Sequence, residues 1–172
     1  QADATAIWSY DDVRDRFILE SSVAVGIPEA VWEEFRQEEP RHGQTTYTVM
    51  EQGWIGVNDI NDLERYPYLA PTTQHMLARI GIHSFQGIAL MVGDERLGVL
   101  YVNYTHPRQF DPAECEVIRT FANQAALALK KAKLLEQVSK ARNTARQVAK
   151  LSALGDLRGI MESIVEGTLD VL

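Results

Sequence analysis

The polar and apolar positions of this chain change rhythm near residue 111. Before that point short apolar blocks are broken by turn residues. Beyond it the spacing is helical. Two blocks are apolar nearly throughout, residues 87–92 and residues 98–104. The second holds Val99, Tyr101, Val102 and Tyr104. β-Branched and aromatic residues in such a run predict a central strand covered on both faces. Gly93-Asp94-Glu95-Arg96 between the blocks predicts a tight hairpin. Asp111 is placed to cap a helix, with Pro112 at its first position and Glu114 in its first turn. No Gly or Pro follows until Gly155. The predicted helix is therefore far longer than the ~11-residue average.

The earlier segments read in order. Residues 3–10 predict a strand, Asp11 to Asp15 a polar turn, and Arg16–Val25 the returning strand. Gly26-Ile27-Pro28 ends that strand, and a short helix is expected over residues 29–38. Residues 39–44 form a loop. Residues 45–50, TTYTVM, are β-rich and predict extended structure, and Trp54–Val57 are expected as part of a third strand or as the loop beside it. Residues 58–81 make a long crossover containing a helical patch at residues 72–80. Leu63, Tyr66, Tyr68, Leu69, Met76, Leu77 and Ile80 predict that it is packed, and long connections of this kind are often functional. The fourth strand is Ser84–Val92 and the fifth spans residues 96–104. Five strands with inserted and appended helices predict an α+β fold, one antiparallel sheet with helices on both faces.

The segment GIALMVGDERLGVLYVNYTHPRQFDPAECEVIRTFANQAALAL, residues 87–129, resembles the C-terminal half of a GAF domain, the small-molecule-binding sensor module of signalling proteins. The hairpin ending in G-V-L, the polar loop, F-x-x-x-E and the A-x-Q-A-A-x-A-L cadence carry the likeness, which extends weakly over residues 3–129. It implies a PAS-related central sheet of about five or six strands and a long C-terminal signalling helix. It also implies that the crossover walls a ligand pocket on one sheet face. Residues 151–172 resemble the first helix of such a domain, through Leu157, Ile160, Ile164, Val165, Leu169 and Leu172. The expected organisation is thus a sensor domain lacking its first helix over residues 1–129, a coiled-coil linker over 130–150, and the first helix of a following GAF domain over 151–172, within a tandem protein. The tail helix could then dock where the missing first helix belongs, with Ile160, Ile164 and Leu169 on the sheet.

Composition narrows the function. The 172 residues are 45% hydrophobic and carry a net charge of −7, which speaks against a nucleic-acid partner. Lys130, Lys131, Lys133, Lys140, Arg142, Arg146 and Lys150 read as the solvated face of the long helix. Leu127, Leu134, Ala141 and Val148 repeat at one heptad position, with Lys131, Val138, Ala145 and Ser152 at the other. That seam predicts a homodimer through a parallel coiled coil. One cysteine, Cys115, cannot form an internal disulfide, and a reducing cytoplasm is the expected location. No apolar run of ~18 residues exists, so no membrane contact is expected of this segment.

Chemistry is sparse. Cys115 lies in a helical first turn, but Glu114 and Glu116 oppose a lowered pKa, so a redox role is a third choice. His42, His75, His83 and His106 lack ligand spacing, and no metal site is expected. The GAF branch that reduces free methionine sulfoxide uses several cysteines, and bilin attachment needs a Cys before a His in the crossover; neither fits one cysteine at position 115. The cyclic-nucleotide pattern N-K…F-x-x-x-D-E is met by Asn103, Phe110 and Glu114 but not by Tyr104 or Ala113. The expected cofactor is undetermined. The expected function is a non-enzymatic sensory domain binding an unknown small molecule, with a ligand-free dimerisation spacer and a cyclic-nucleotide domain as alternatives. The candidate pocket residues are Trp54, Tyr66, Tyr68, His75, His83, Ser84 and Gln86.

Overall fold

The structure, a computed structural model, describes the backbone of residues 2–169 and the side chains of residues 2–147 and 149. In chain order the elements are β1 (Ala4–Asp11), β2 (Arg16–Val25), α1 (Glu29–Gln37), α2 (Thr45–Gln52), β3 (Trp54–Val57), α3 (Pro71–Arg79), β4 (Ser84–Val92), β5 (Glu95–Tyr104) and α4 (Pro112–Leu169). The five strands form one sheet in the order β2-β1-β5-β4-β3, and every pairing is antiparallel. β5 is the central strand, as its nearly continuous apolar run predicts.

Strand alternation divides the core in two. Ala4, Ala6, Trp8 and Tyr10 of β1 face the same side as Phe85 of β4 and Val99 and Tyr101 of β5. There they meet Trp32 of α1, Val49 and Met50 of α2, and the crossover residues Ile60, Tyr66 and Leu69. The opposite face carries Ile88, Leu90, Leu100, Val102 and Tyr104, which pack on Ala122 and Ala126 of α4. Small residues at those two positions let the helix lie close to the sheet. The crossover is packed as expected: Ile60 is fully buried and its N–H donates to the His83 carbonyl, while Asn58 N–H donates to the Tyr66 hydroxyl.

Residues 45–50 are helical, which corrects the extended structure expected of TTYTVM. Two hydroxyls that disfavour a helix interior have local acceptors here. Thr48 donates to the Gln44 carbonyl and Thr45 to the Tyr68 carbonyl. Burial of Tyr47, Val49 and Met50 against the sheet then outweighs the β-propensity of the segment. Gly87 of β4 makes the seat: a Cβ there would stand 2.6 Å from a Val49 methyl. Gly98 is required by a second close approach, because its Cβ would strike the Trp8 carbonyl oxygen at the bulge of β5.

The helix α4 begins as the sequence indicates, with Asp111 Oδ1 accepting from Ala113 N–H at 2.7 Å. It continues unbroken past Gly155 as a single element to Leu169. The chain divides into two compact units, residues 1–130 and 131–172. Ile160, Ile164 and Leu169, on which docking of the tail would turn, lie outside the residues whose side chains are described. Among the described residues no helix is long and apolar enough to cross a membrane.

Candidate ligand cavity

A cavity of about 90 Å³ opens between the β1/β5 face of the sheet and α1, α2 and α3. Trp8, Trp32, Phe35, Phe85 and Tyr101 form aromatic walls. Trp8 and Trp32 meet edge to face with ring centroids 5.2 Å apart, which locks α1 to the sheet. Phe85 and Tyr101 repeat that geometry at 5.6 Å across β4 and β5.

The polar lining is neutral inside and acidic outside. Asn103 is 3% exposed; its amide N–H donates to the Ala4 carbonyl at 3.4 Å. Tyr101 donates to Thr46 Oγ1 at 3.1 Å, and burial pushes its phenol far above the ordinary value, so it stays a neutral donor. Thr45 and Thr73 add hydroxyls. Glu38 and Glu39, both exposed, stand at the solvent end. An aromatic cleft with a few polar groups is the usual construction of a small-molecule site. Its size suits a molecule of on the order of six to nine heavy atoms.

None of the seven residues expected at a pocket lines this cavity. Trp54, Ser84 and Gln86 point to the α4 face. There Gln86 Oε1 accepts from Trp54 Nε1 at 3.1 Å and from Cys115 Sγ at 3.3 Å, while Ser84 donates to the His106 carbonyl at 2.7 Å. Tyr66 and Tyr68 lie on the cavity side of the sheet as a ring pair 6.1 Å apart, within the packed crossover. His75 is exposed on α3, and His83 is half-buried just before β4. Strand parity explains the split: Phe85 faces the cavity, so Ser84 and Gln86 face away from it. The same alternation, applied to β1, would have found Ala6 and Trp8.

The cyclic-nucleotide trio is divided as well. Asn103 lines the cavity, whereas Phe110 packs with the α4 face. Glu114 pairs with Arg108 at 2.8 Å and accepts from the Tyr104 hydroxyl. Burial, then Glu114, pushes the Cys115 thiol above its ordinary range. No cluster of His, Cys, Asp and Glu able to hold a metal occurs among the described residues.

A five-stranded antiparallel sheet, roofed by short helices over a cavity on one face and backed by a long helix on the other, defines the class of regulatory sensory domains. The chain belongs to the GAF domain family, whose sequence profile matches residues 1–129. Solved structures share the fold. A domain of a putative two-component sensor histidine kinase from Sinorhizobium meliloti is 19% identical with a TM-score of 0.59, covering 77% of this chain and 82% of that one. A GAF domain/HD domain protein from Geobacter sulfurreducens is 17% identical with a TM-score of 0.62, covering 78% and 84%. The GAF domain of an Acinetobacter phosphoenolpyruvate-protein phosphotransferase is 15% identical with a TM-score of 0.59, covering 79% and 75%. No curated protein matches the chain.

Proposed function

We propose that residues 1–130 form a non-enzymatic sensory domain that takes a small molecule into the cavity beneath α1 and α2 and reports its presence through α4. The aromatic-walled cavity, with the buried Asn103 amide and the Tyr101–Thr46 pair inside it, is the observation that carries this reading. Its volume favours a ligand smaller than a cyclic nucleotide. Reporting requires two states that the ligand binds unequally. β5 supplies a route: Tyr101 and Asn103 line the cavity, while Leu100, Val102 and Tyr104 of the same strand meet α4 on the other face.

Fluorine NMR of the chain labelled with 5-fluorotryptophan tests the site. Trp8 and Trp32 wall the cavity and Trp54 does not. Small-molecule fragments that bind there move the Trp8 and Trp32 resonances and leave Trp54 in place. A fragment set that moves only Trp54, or none of the three, contradicts the assignment.

A second reading, a dimerisation spacer, rests on a different surface. An open apolar groove of about 430 Å³ lies on the α4 face, lined by Ile7, Val25, Leu100, Val117 and Phe121 among others. Val25 is 73% and Phe121 63% exposed, an arrangement that invites a partner surface. A homodimer through α4 is compatible with either reading.

A further inference from the structure

We infer that the cavity selects a small organic cation, a compact primary, tertiary or quaternary ammonium; this rests on the sensory reading above and names its ligand class. Three features point the same way. The first is the wall. Five aromatic rings surround the space, and ring faces attract cations most strongly where water is excluded. The second is charge. No Lys, Arg or His lines the cavity, so nothing inside would neutralise an anion. The carboxylates that do line it, Glu38 and Glu39, form no ion pair among the described residues. The nearby Arg36 is already held by Glu33 and lies 4.0 Å from Glu29. An exposed acidic mouth draws cations inward and repels anions.

The third feature is inside. Asn103 is almost wholly buried, lines the cavity, and commits one of its two amide N–H groups to Ala4. Its Oδ1 accepts no hydrogen bond among the described residues and is left as an acceptor. A carbonyl oxygen, threonine hydroxyls and aromatic faces are what an ammonium group, rich in positive C–H or N–H and lacking acceptors, can use. A carboxylate or phosphate would find neutral hydroxyl and amide donors but no cation to balance its charge.

Three probes of nearly one shape separate charge from size: choline, its neutral carbon analogue 3,3-dimethyl-1-butanol, and the anion 3,3-dimethylbutanoate. Each is titrated into the 5-fluorotryptophan-labelled full chain. The expected result is that choline moves the Trp8 and Trp32 resonances with an apparent Kd at least tenfold below that of the alcohol, and that the anion moves neither. In the double variant Glu38→Gln/Glu39→Gln, whose sites are exposed and leave folding intact, the choline-to-alcohol ratio falls severalfold. If the alcohol or the anion binds at the two tryptophans as well as choline does, the cavity is a ligand site and the cation inference is overturned. If none of the three moves those resonances, the cation inference falls. If a general fragment set also leaves them unmoved, the sensory reading falls with it.

Discussion

Cys115 lies in the first turn of α4, where a helix end could favour a thiolate, yet its surroundings hold the proton in place. Burial is the largest cause and Glu114 the next, and the S–H donates to Gln86 Oε1. Iodoacetamide labelling at neutral pH should therefore be slower than for free cysteine and should speed up on unfolding; a native rate equal to the free amino acid's would show an open, activated thiol. Asp15 shows the opposite shift. The Tyr10 hydroxyl, and after it Arg96, hold its carboxyl below the ordinary value of 3.8. A carboxyl depressed on folding adds stability above that unfolded value and loses it as the pH falls through the folded one. Asp15→Asn should accordingly lower the melting temperature at pH 6, and the difference from the parent should shrink below about pH 4. A difference constant with pH would assign the loss to packing. Residue-scale chemistry was only partly legible in the sequence. Glu114 gave the direction of the Cys115 shift, but the larger cause, burial, was not visible in the sequence. The side of the sheet taken by Gln86 follows from strand parity, which the list of polar residues in the crossover did not use.

At the scale of elements, α2 is where local propensity and tertiary structure disagree. Thr45, Thr46, Tyr47, Thr48 and Val49 favour a strand taken singly, but Gly87 leaves a hollow that a helical Val49 fills. Gly87→Ala should push against that side chain and against Tyr101, 3.0 Å from the added carbon, costing about 1–3 kcal/mol in chemical denaturation. A neutral effect would mean that α2 is not seated on β4. β4 and β5 were read closely because each is bounded by turn residues and is apolar nearly throughout. The helix start at Asp111 was read for the same reason: one side chain caps it. The cavity was not legible, since it depends on which short helices meet over the sheet, and that is a long-range fact.

At the scale of the molecule, α4 runs from Pro112 to Leu169 as one helix, through Gly155. Gly155 costs a helix about 1 kcal/mol, which neighbouring turns can absorb. In the first unit Val117 is 70% exposed and Leu127 60%. In the second, Leu134 and Val138 are 48% and 65% exposed. Apolar residues repeated at heptad spacing and left in water call for a second helix. Sedimentation should give a dimer, and Leu134→Glu with Val138→Glu should give a monomer with an unchanged fold by circular dichroism. A parent chain that sediments as a monomer would remove the dimer from the account. The cavity should hold a small molecule. Native mass spectrometry of the purified chain, compared with a variant whose cavity is filled by Ala6→Phe, tests it most directly. A small non-covalent adduct is expected on the parent and absent from the variant. An adduct of equal mass and abundance on both, or a parent that carries none even after incubation with small-molecule extracts, would contradict it.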